Sequence, residues 1–411
     1  MSSGFQRRAG ALVCDGVSLE ALAREFGTPL YVYSWAAIAE SFRRFDAAFS
    51  AVPRLVCYAA KANSARAILA RLGRLGAGAD VVSGGELRAA LEAGIPPDRI
   101  VFSGVGKTEE EIGAGVAAGL LAINVESARE LEKVSAAAAA RGTVARVALR
   151  VNPDIDARSH PHISTGLSEN KFGVDIDRAR DVFEKARTLP GVRMVGVQAH
   201  VGSQILEEAP LSKTACELAV LAASLASAGF PLETVDVGGG LGIGDGALTP
   251  EAYAAAVLPP LSRLPFRVLI EPGRAIVGRA GVLLTRVLDV KRDREKNFVV
   301  VDAGMNDFLR PALYGAAHPI EPAGARSAES LLADVVGPVC ETGDAFLRDV
   351  VLPLPREGDV LAVRDTGAYG HAMASNYNVR PRPAEVMIEG GAARLIRRRE
   401  TYDDLVRLEA E

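Results

Sequence analysis

The stretch VCYAAKAN, residues 56–63, puts a lysine directly behind a run of apolar and small residues, where a buried strand should be ending. A short apolar run of this kind fits a strand covered on both faces, as in a parallel sheet. With Leu55 it forms LVCYA (55–59), and seven similar runs follow: ADVVS (79–83), IVFSG (100–104), LAINV (121–125), ARVALRVN (145–152), RMVGVQAH (193–200), TVDVGGG (234–240) and RVLIEPG (267–273). The segments between them, such as SARAILARLGRL, GELRAALEAG and SARELEKVSAAAAARG, carry charges at helical spacing and suit covering helices. The alanine run at 136–140 is expected in the middle of one of them. Eight β/α units over about 220 residues are the count and length of a TIM (β/α)8 barrel. A doubly wound open sheet shares this spacing, which does not itself reveal closure; the barrel is the expectation.

After residue 274 the texture changes to VLLTRVLDVKR, NFVVVDAG, DVVLPLP, DVLAVRDTG and AEVMIEGG, strand-like runs with few helical windows between them. They predict a second, mostly β domain of sandwich or barrel type. VSLEALAREFGTPLYVYS (17–34) reads as a helix leading into a strand outside the barrel register. The expected division is therefore residues 31–274 for the barrel and 1–30 with 275–411 for the β domain.

Composition narrows the functional classes. Of 411 residues, 49% are hydrophobic and 24% charged, with a net charge of -4, so no basic footprint for nucleic acid is present. No window reaches the ~18 apolar residues of a membrane span, and MSSGFQRRAGALVCDG carries no apolar leader, so a cytoplasmic location is expected. Cys14, Cys57, Cys216 and Cys340 stand at unrelated spacings with no C-x-x-C pair, the pattern of neither a disulfide framework nor a zinc site.

Barrel sites lie at the carboxyl ends of the strands, so the residues ending each run carry the chemistry. Lys61 there is either a solvated loop residue or a Schiff-base lysine, whose amine becomes nucleophilic when desolvated. GGGLGIGDG (238–246) and EPGR (271–274) follow the seventh and eighth runs, where the fold usually binds phosphate, and Arg274 would add a charged fork to an anion. Plain turn chemistry is the competing reading of both. The glycines do not fit the dinucleotide fingerprint, and SGVGKT (103–108) is no P-loop because Val101 occupies the position of its first glycine. Glu271, ending the eighth run, needs a cation if buried, either Arg274 or a protonated ring nitrogen. His200 and Ser203 follow the sixth run; His160, His162 and His200 lack the neighbouring carboxylates or cysteines of a metal site. Cys340 beside Glu341 reads as a buried structural cysteine or as an acid near neutral pH.

A lysine after the first strand, phosphate loops after the last two and a carboxylate for a ring nitrogen are what pyridoxal phosphate requires of a protein. The ordered motifs TPLYVYS, YAAKAN, DVVSGGEL, HPHISTGLSENKFG, HVGSQI, GGGLGI, EPGR, RPALY, GPVCETGD and GAYGHAMASNYNVRPRPAEV run through almost the whole chain and resemble the barrel-fold, pyridoxal phosphate-dependent amino acid decarboxylases of the alanine racemase-like fold. The resemblance implies that Lys61 holds the cofactor as a Schiff base and that His200 lies against its ring. It implies that Ser203, Gly238, Gly239, Gly240, Pro272, Gly273, Arg274 and Tyr369 surround the phosphate, and that Glu271 keeps the ring nitrogen protonated. Arg274, Arg310, Tyr314, Glu341 and Tyr369 would grip the substrate, and Cys340 would return a proton after carbon dioxide leaves. Cys340 and Glu341 would come from the partner subunit of a homodimer, and HPHISTGLSENKFG would be a lid. The implied reaction converts meso-2,6-diaminopimelate to L-lysine and carbon dioxide, with no metal. Carboxynorspermidine, D-ornithine, lysine or arginine are alternative substrates; a racemase and a non-catalytic binding relative are the other readings. Asp80 and Glu86 are either supporting groups of the site or capping and surface residues.

Overall fold

The computed structural model describes residues 3–156 and 171–410, which divide into two compact units: Phe42–Ala275, and the residues up to Ser41 together with those from Ile276 on. In the first, eight parallel strands close on themselves: β1 (Arg54–Ala59), β2 (Gly78–Val81), β3 (Ile100–Phe102), β4 (Ala122–Val125), β5 (Ala145–Asn152), β6 (Val192–Gln198), β7 (Thr234–Asp236) and β8 (Arg267–Ile270). Each pairs with the next, and β8 returns to β1 through Val268 opposite Arg54 and Leu269 opposite Leu55. The barrel is closed, so the open sheet falls away. Leu55, Cys57, Val101, Leu121, Ala122, Ala148, Val195 and Leu269 form one buried cluster, which is why these strands read as continuous apolar runs.

Every expected barrel strand is present, but five stop early, the second at Val81 and the third at Phe102. The sixth ends at Gln198, the seventh at Asp236 and the eighth at Ile270. Gly238 takes φ +68°, outside the β region, and Pro272 has no N–H to give a ladder, so VGGG and EPG are loops. The covering helices begin at side-chain caps: Ser83 for Gly84–Glu92, Ser127 for Ala128–Ala139 and Thr249 for Pro250–Leu261. SGVGKT ends in Thr108, which forms a capping box with Glu111. Its Lys107 is buried on the Glu130 carboxylate (2.8 Å) and two backbone carbonyls, so the motif is a helix start locked by an ion pair. The alanine run closes its helix rather than occupying the middle.

In the β unit the strands run in the order Ala345–Pro353, Ser330–Val336, Asn297–Val301, Gly281–Arg292, Leu30–Ser34, Ala384–Glu389, Ala392–Arg397. The long strand Gly281–Arg292 also pairs with Val360–Val363. Leu30–Ser34 sits between Gly281–Arg292 and Ala384–Glu389, preceded by the helix Leu19–Phe26 and a three-stranded hairpin sheet from Phe5 to Ser18. The N-terminal segment thus contributes to this core, and the change of unit falls after Ser41 instead of at residue 30. Two strands of that seven-strand order escape a reading by pattern. Ser330–Val336 exposes Leu332, and Ala392–Arg397 is a charged edge, so neither shows clean alternation.

Candidate active site

Lys61 lies in a single helical turn, Ala60–Ala62, at the carboxyl end of β1. The buried Tyr58 hydroxyl donates to the Asn63 carbonyl (2.9 Å) and fixes the turn from below. The Lys61 ammonium meets the Asp80 carboxylate at the end of β2, Nζ to Oδ2 2.6 Å, and Asp80 is fully buried. The sequence leaves a solvated loop residue or a desolvated amine open; an ion pair is what forms, because β2 delivers a buried acid alongside. Glu86 has the other role, accepting the Val82 N–H (2.9 Å) at the start of the following helix.

Three carboxyl groups are buried here: Asp80, Asp236 at the end of β7 and Glu271 just beyond β8, none more than 3% exposed. Asp236 accepts the Gly238 N–H (2.8 Å), and Glu271 accepts from the Gln198 amide (3.3 Å). Asp236 Oδ2 and Glu271 Oε1 have no donor among the described residues. Burial, then the mutual repulsion of these acids, pushes Glu271 well above the ordinary carboxylate range, and burial raises Asp236 as well. Three acids against one ammonium suit a further cation, and a protonated pyridine nitrogen at Glu271 would be one. The residues fit that cofactor.

His200 follows β6. Its Nδ1 accepts the Gly239 N–H (3.1 Å), which puts the ring proton on Nε2. Burial, followed by the Lys61 and Arg150 charges, holds the imidazole well below its usual pKa, so the ring is neutral. A Cβ on Gly239 would lie 2.1 Å from the Glu271 carbonyl, and one on Gly238 would lie 2.5 Å from the Ala199 carbonyl. The glycines are therefore needed first for backbone packing. With the Gly238 and Gly239 N–H groups committed to Asp236 and His200, Gly240 is the one of the three whose N–H has no protein acceptor among the described residues. The Pro272 carbonyl accepts the Ala59 N–H (3.3 Å), and Gly273 admits Ala62, whose methyl would lie 2.9 Å from an added Cβ. Arg274, buried, donates to the Ser203 hydroxyl (2.9 Å), forming the cation-and-hydroxyl pair that an anion needs.

In the β unit the buried Arg310 guanidinium lies 5.4 Å from the Tyr314 ring centre and 5.9 Å from that of Tyr369, whose backbone takes φ +56°. Cys340 and Glu341 stand on a different loop. Both are exposed, contrary to the buried structural reading of Cys340. The Cys340 N–H donates to the Asn378 side chain (3.3 Å), and the Tyr377 hydroxyl donates to Glu341 (2.5 Å). The lid expected over 160–173 and the His160 and His162 positions lie outside the described residues, except 171–173, where the Gly173 N–H donates to Glu126 (3.0 Å). Asp236, Gln198, Tyr377 and Asn378 were not singled out by sequence. Asp236 and Gln198 end barrel strands, so inspecting every strand end for a polar residue would have found them.

Residues 35–278 match the family model described as "Pyridoxal-dependent decarboxylase, pyridoxal binding domain". A diaminopimelate decarboxylase of Aquifex aeolicus is 46% identical over 406 residues, 98% of this chain and 96% of that protein. The diaminopimelate decarboxylase of Helicobacter pylori, solved in complex with L-lysine, superposes with a TM-score of 0.92 at 45% identity, covering 95% of this chain and 98% of that one. That of M. jannaschii, likewise solved with L-lysine, gives 0.94 at 39%, covering 99% and 98%. With a closed barrel, buried acids beside Lys61 and likeness along nearly its full length, the chain belongs to the pyridoxal-dependent decarboxylases, in the branch of the diaminopimelate decarboxylases.

Proposed function

We propose that this chain removes carbon dioxide from meso-2,6-diaminopimelate to give L-lysine, the closing step of lysine biosynthesis, as a cytoplasmic homodimer. The observation that carries the reading is the group at the barrel mouth, in which Lys61, Asp80, Glu271, Asp236, His200 and the Ser203–Arg274 pair stand on the ends of neighbouring strands. Bound pyridoxal phosphate supplies an aldehyde for amines and a ring that accepts the electron pair left when carbon dioxide departs. Glu271 would keep a proton on the ring nitrogen. Lys61 must lose a proton before it can act as a nucleophile, and Asp80 at 2.6 Å is the acceptor within reach. Neutral His200 offers a flat face without adding charge. Ser203, Gly240, Gly273 and Arg274 would hold the phosphate. Arg310, between Tyr314 and Tyr369, takes the carboxylate of the far amino acid head, and Glu341 takes its ammonium group. Cys340 delivers a proton to the α-carbon; Cys340 and Glu341 belong to the partner subunit's site.

The test is chemical trapping. The protein is loaded with pyridoxal phosphate, reduced with borohydride and digested; the pyridoxyl mass should sit on the peptide carrying Lys61 and vanish in Lys61→Ala. Label on another lysine refutes the assignment.

A further inference from the structure

The segment Tyr377–Val379 is unusual in three ways at once. Asn378 and Val379 both occupy the left-handed region, φ +54° and +56°, and Val379 is a β-branched residue for which this conformation is a true outlier. Such strain survives only where surrounding contacts impose it, and it concentrates at functional sites. Yet the strain does not serve a core: Tyr377 is 44% and Val379 60% exposed. What the conformation does achieve is to aim two successive side chains at one loop. The Tyr377 hydroxyl reaches Glu341 Oε1 at 2.5 Å, and the Asn378 side-chain oxygen accepts the Cys340 N–H at 3.3 Å. That loop is anchored from its other side by Asp344, which accepts the Val339 and Met305 N–H groups, both at 2.7 Å.

We infer that Tyr377 and Asn378 are positioning residues, the first orienting the Glu341 carboxylate and the second the Cys340 backbone. The inference rests on the roles given above to Cys340 and Glu341. A phenol donating to one carboxylate oxygen fixes the rotamer and leaves the second oxygen for a substrate ammonium. The Glu341 carboxylate in turn holds the Tyr377 hydroxyl above its ordinary pKa, so the bond persists at neutral pH. The two residues therefore separate in kinetics: Tyr377 acts on binding and Asn378 on proton delivery.

The experiment uses the holoenzyme and meso-diaminopimelate. Tyr377→Phe should raise KM roughly tenfold with kcat within about twofold, and Asn378→Gly, which keeps the left-handed backbone, should lower kcat roughly tenfold with KM within about twofold. Asn378→Gly should also change the iodoacetamide alkylation rate of Cys340, read peptide by peptide, at least about threefold, a readout independent of turnover. Tyr377→Phe combined with Glu341→Gln should match Glu341→Gln alone, because the phenol acts through that carboxylate. Additive effects, or unchanged constants in the two single variants, overturn the positioning roles. If Glu341→Gln and Cys340→Ala themselves leave KM and kcat unaltered, it is the reading of the site that fails.

Discussion

Arg310→Ala isolates the step that separates a substrate with two amino acid heads from one with a single head. Arg310 is 7% exposed, its guanidinium lies within 6 Å of two tyrosine rings, and the proposed function gives it the substrate's distal carboxylate. Truncating one partner of a buried, hydrogen-bonded charge pair costs about 2–5 kcal/mol. At about 1.4 kcal/mol per decade this is a rise in KM of roughly 30- to 4,000-fold. Arg310→Lys keeps the charge but loses the planar fork, so its rise should be smaller, around tenfold. The assay is initial-rate carbon dioxide release across a meso-diaminopimelate series, with cofactor absorbance and melting temperature measured alongside to show that the variants remain folded and loaded. L-lysine keeps the distal carboxylate, so its inhibition constant should rise in parallel with KM. An unchanged KM, or a KM that rises while lysine inhibition does not, refutes the reasoning.

Cys340→Ala should lower kcat by a factor on the order of 100 while cofactor absorbance is retained; full turnover would remove the thiol from the reaction. Gly239→Ala forces a methyl against the Glu271 carbonyl, 2.1 Å away, and should cost about 1–3 kcal/mol of stability together with cofactor affinity. Gly85→Ala, whose Cβ would meet nothing nearer than 3.8 Å inside a helix, should instead be neutral or stabilise by up to about 1 kcal/mol, and equal losses at both sites would contradict the packing argument. Burial, the leading cause, pushes Asp307 up to about 7 from 3.8, a raised carboxylate. Such a group binds its proton more tightly when folded, so its contribution is unaffected below about pH 4, falls as pH rises to about 7, and is constant above that. The full loss is about 4 kcal/mol. Urea unfolding of Asp307→Asn against wild type should move in the variant's favour from pH 4 to pH 8; a pH-independent difference would contradict this.

The barrel is legible because a strand buried on both faces must be a continuous apolar run, and LVCYA or RVLI is unmistakable as such. The stops are less legible: VGGG and EPG look like strand continuations until Gly238 turns to positive φ and proline leaves the ladder. Leu30–Ser34 belongs with strands some 250 and 350 residues away, a long-range pairing that local pattern does not encode. In the site, Lys61, His200, Glu271 and Arg274 were readable because they end runs or stand in motifs. Asp80 carried two equal readings, since an acid within a short strand looks the same in sequence whether it meets solvent or a lysine. Tyr377 and Asn378 were not singled out for another reason: they lie 36 and 38 residues from the residues they hold, and only the fold brings them together.

The most direct test of the central claim is product analysis. The purified chain is incubated with pyridoxal phosphate and meso-2,6-diaminopimelate, with L-lysine, L-arginine and D-ornithine offered in parallel, and carbon dioxide and chirally resolved amines are quantified. The account predicts one carbon dioxide and one L-lysine per diaminopimelate consumed, with negligible release from the other three. Preferred turnover of any of those amines, or D-lysine as the product, would contradict it.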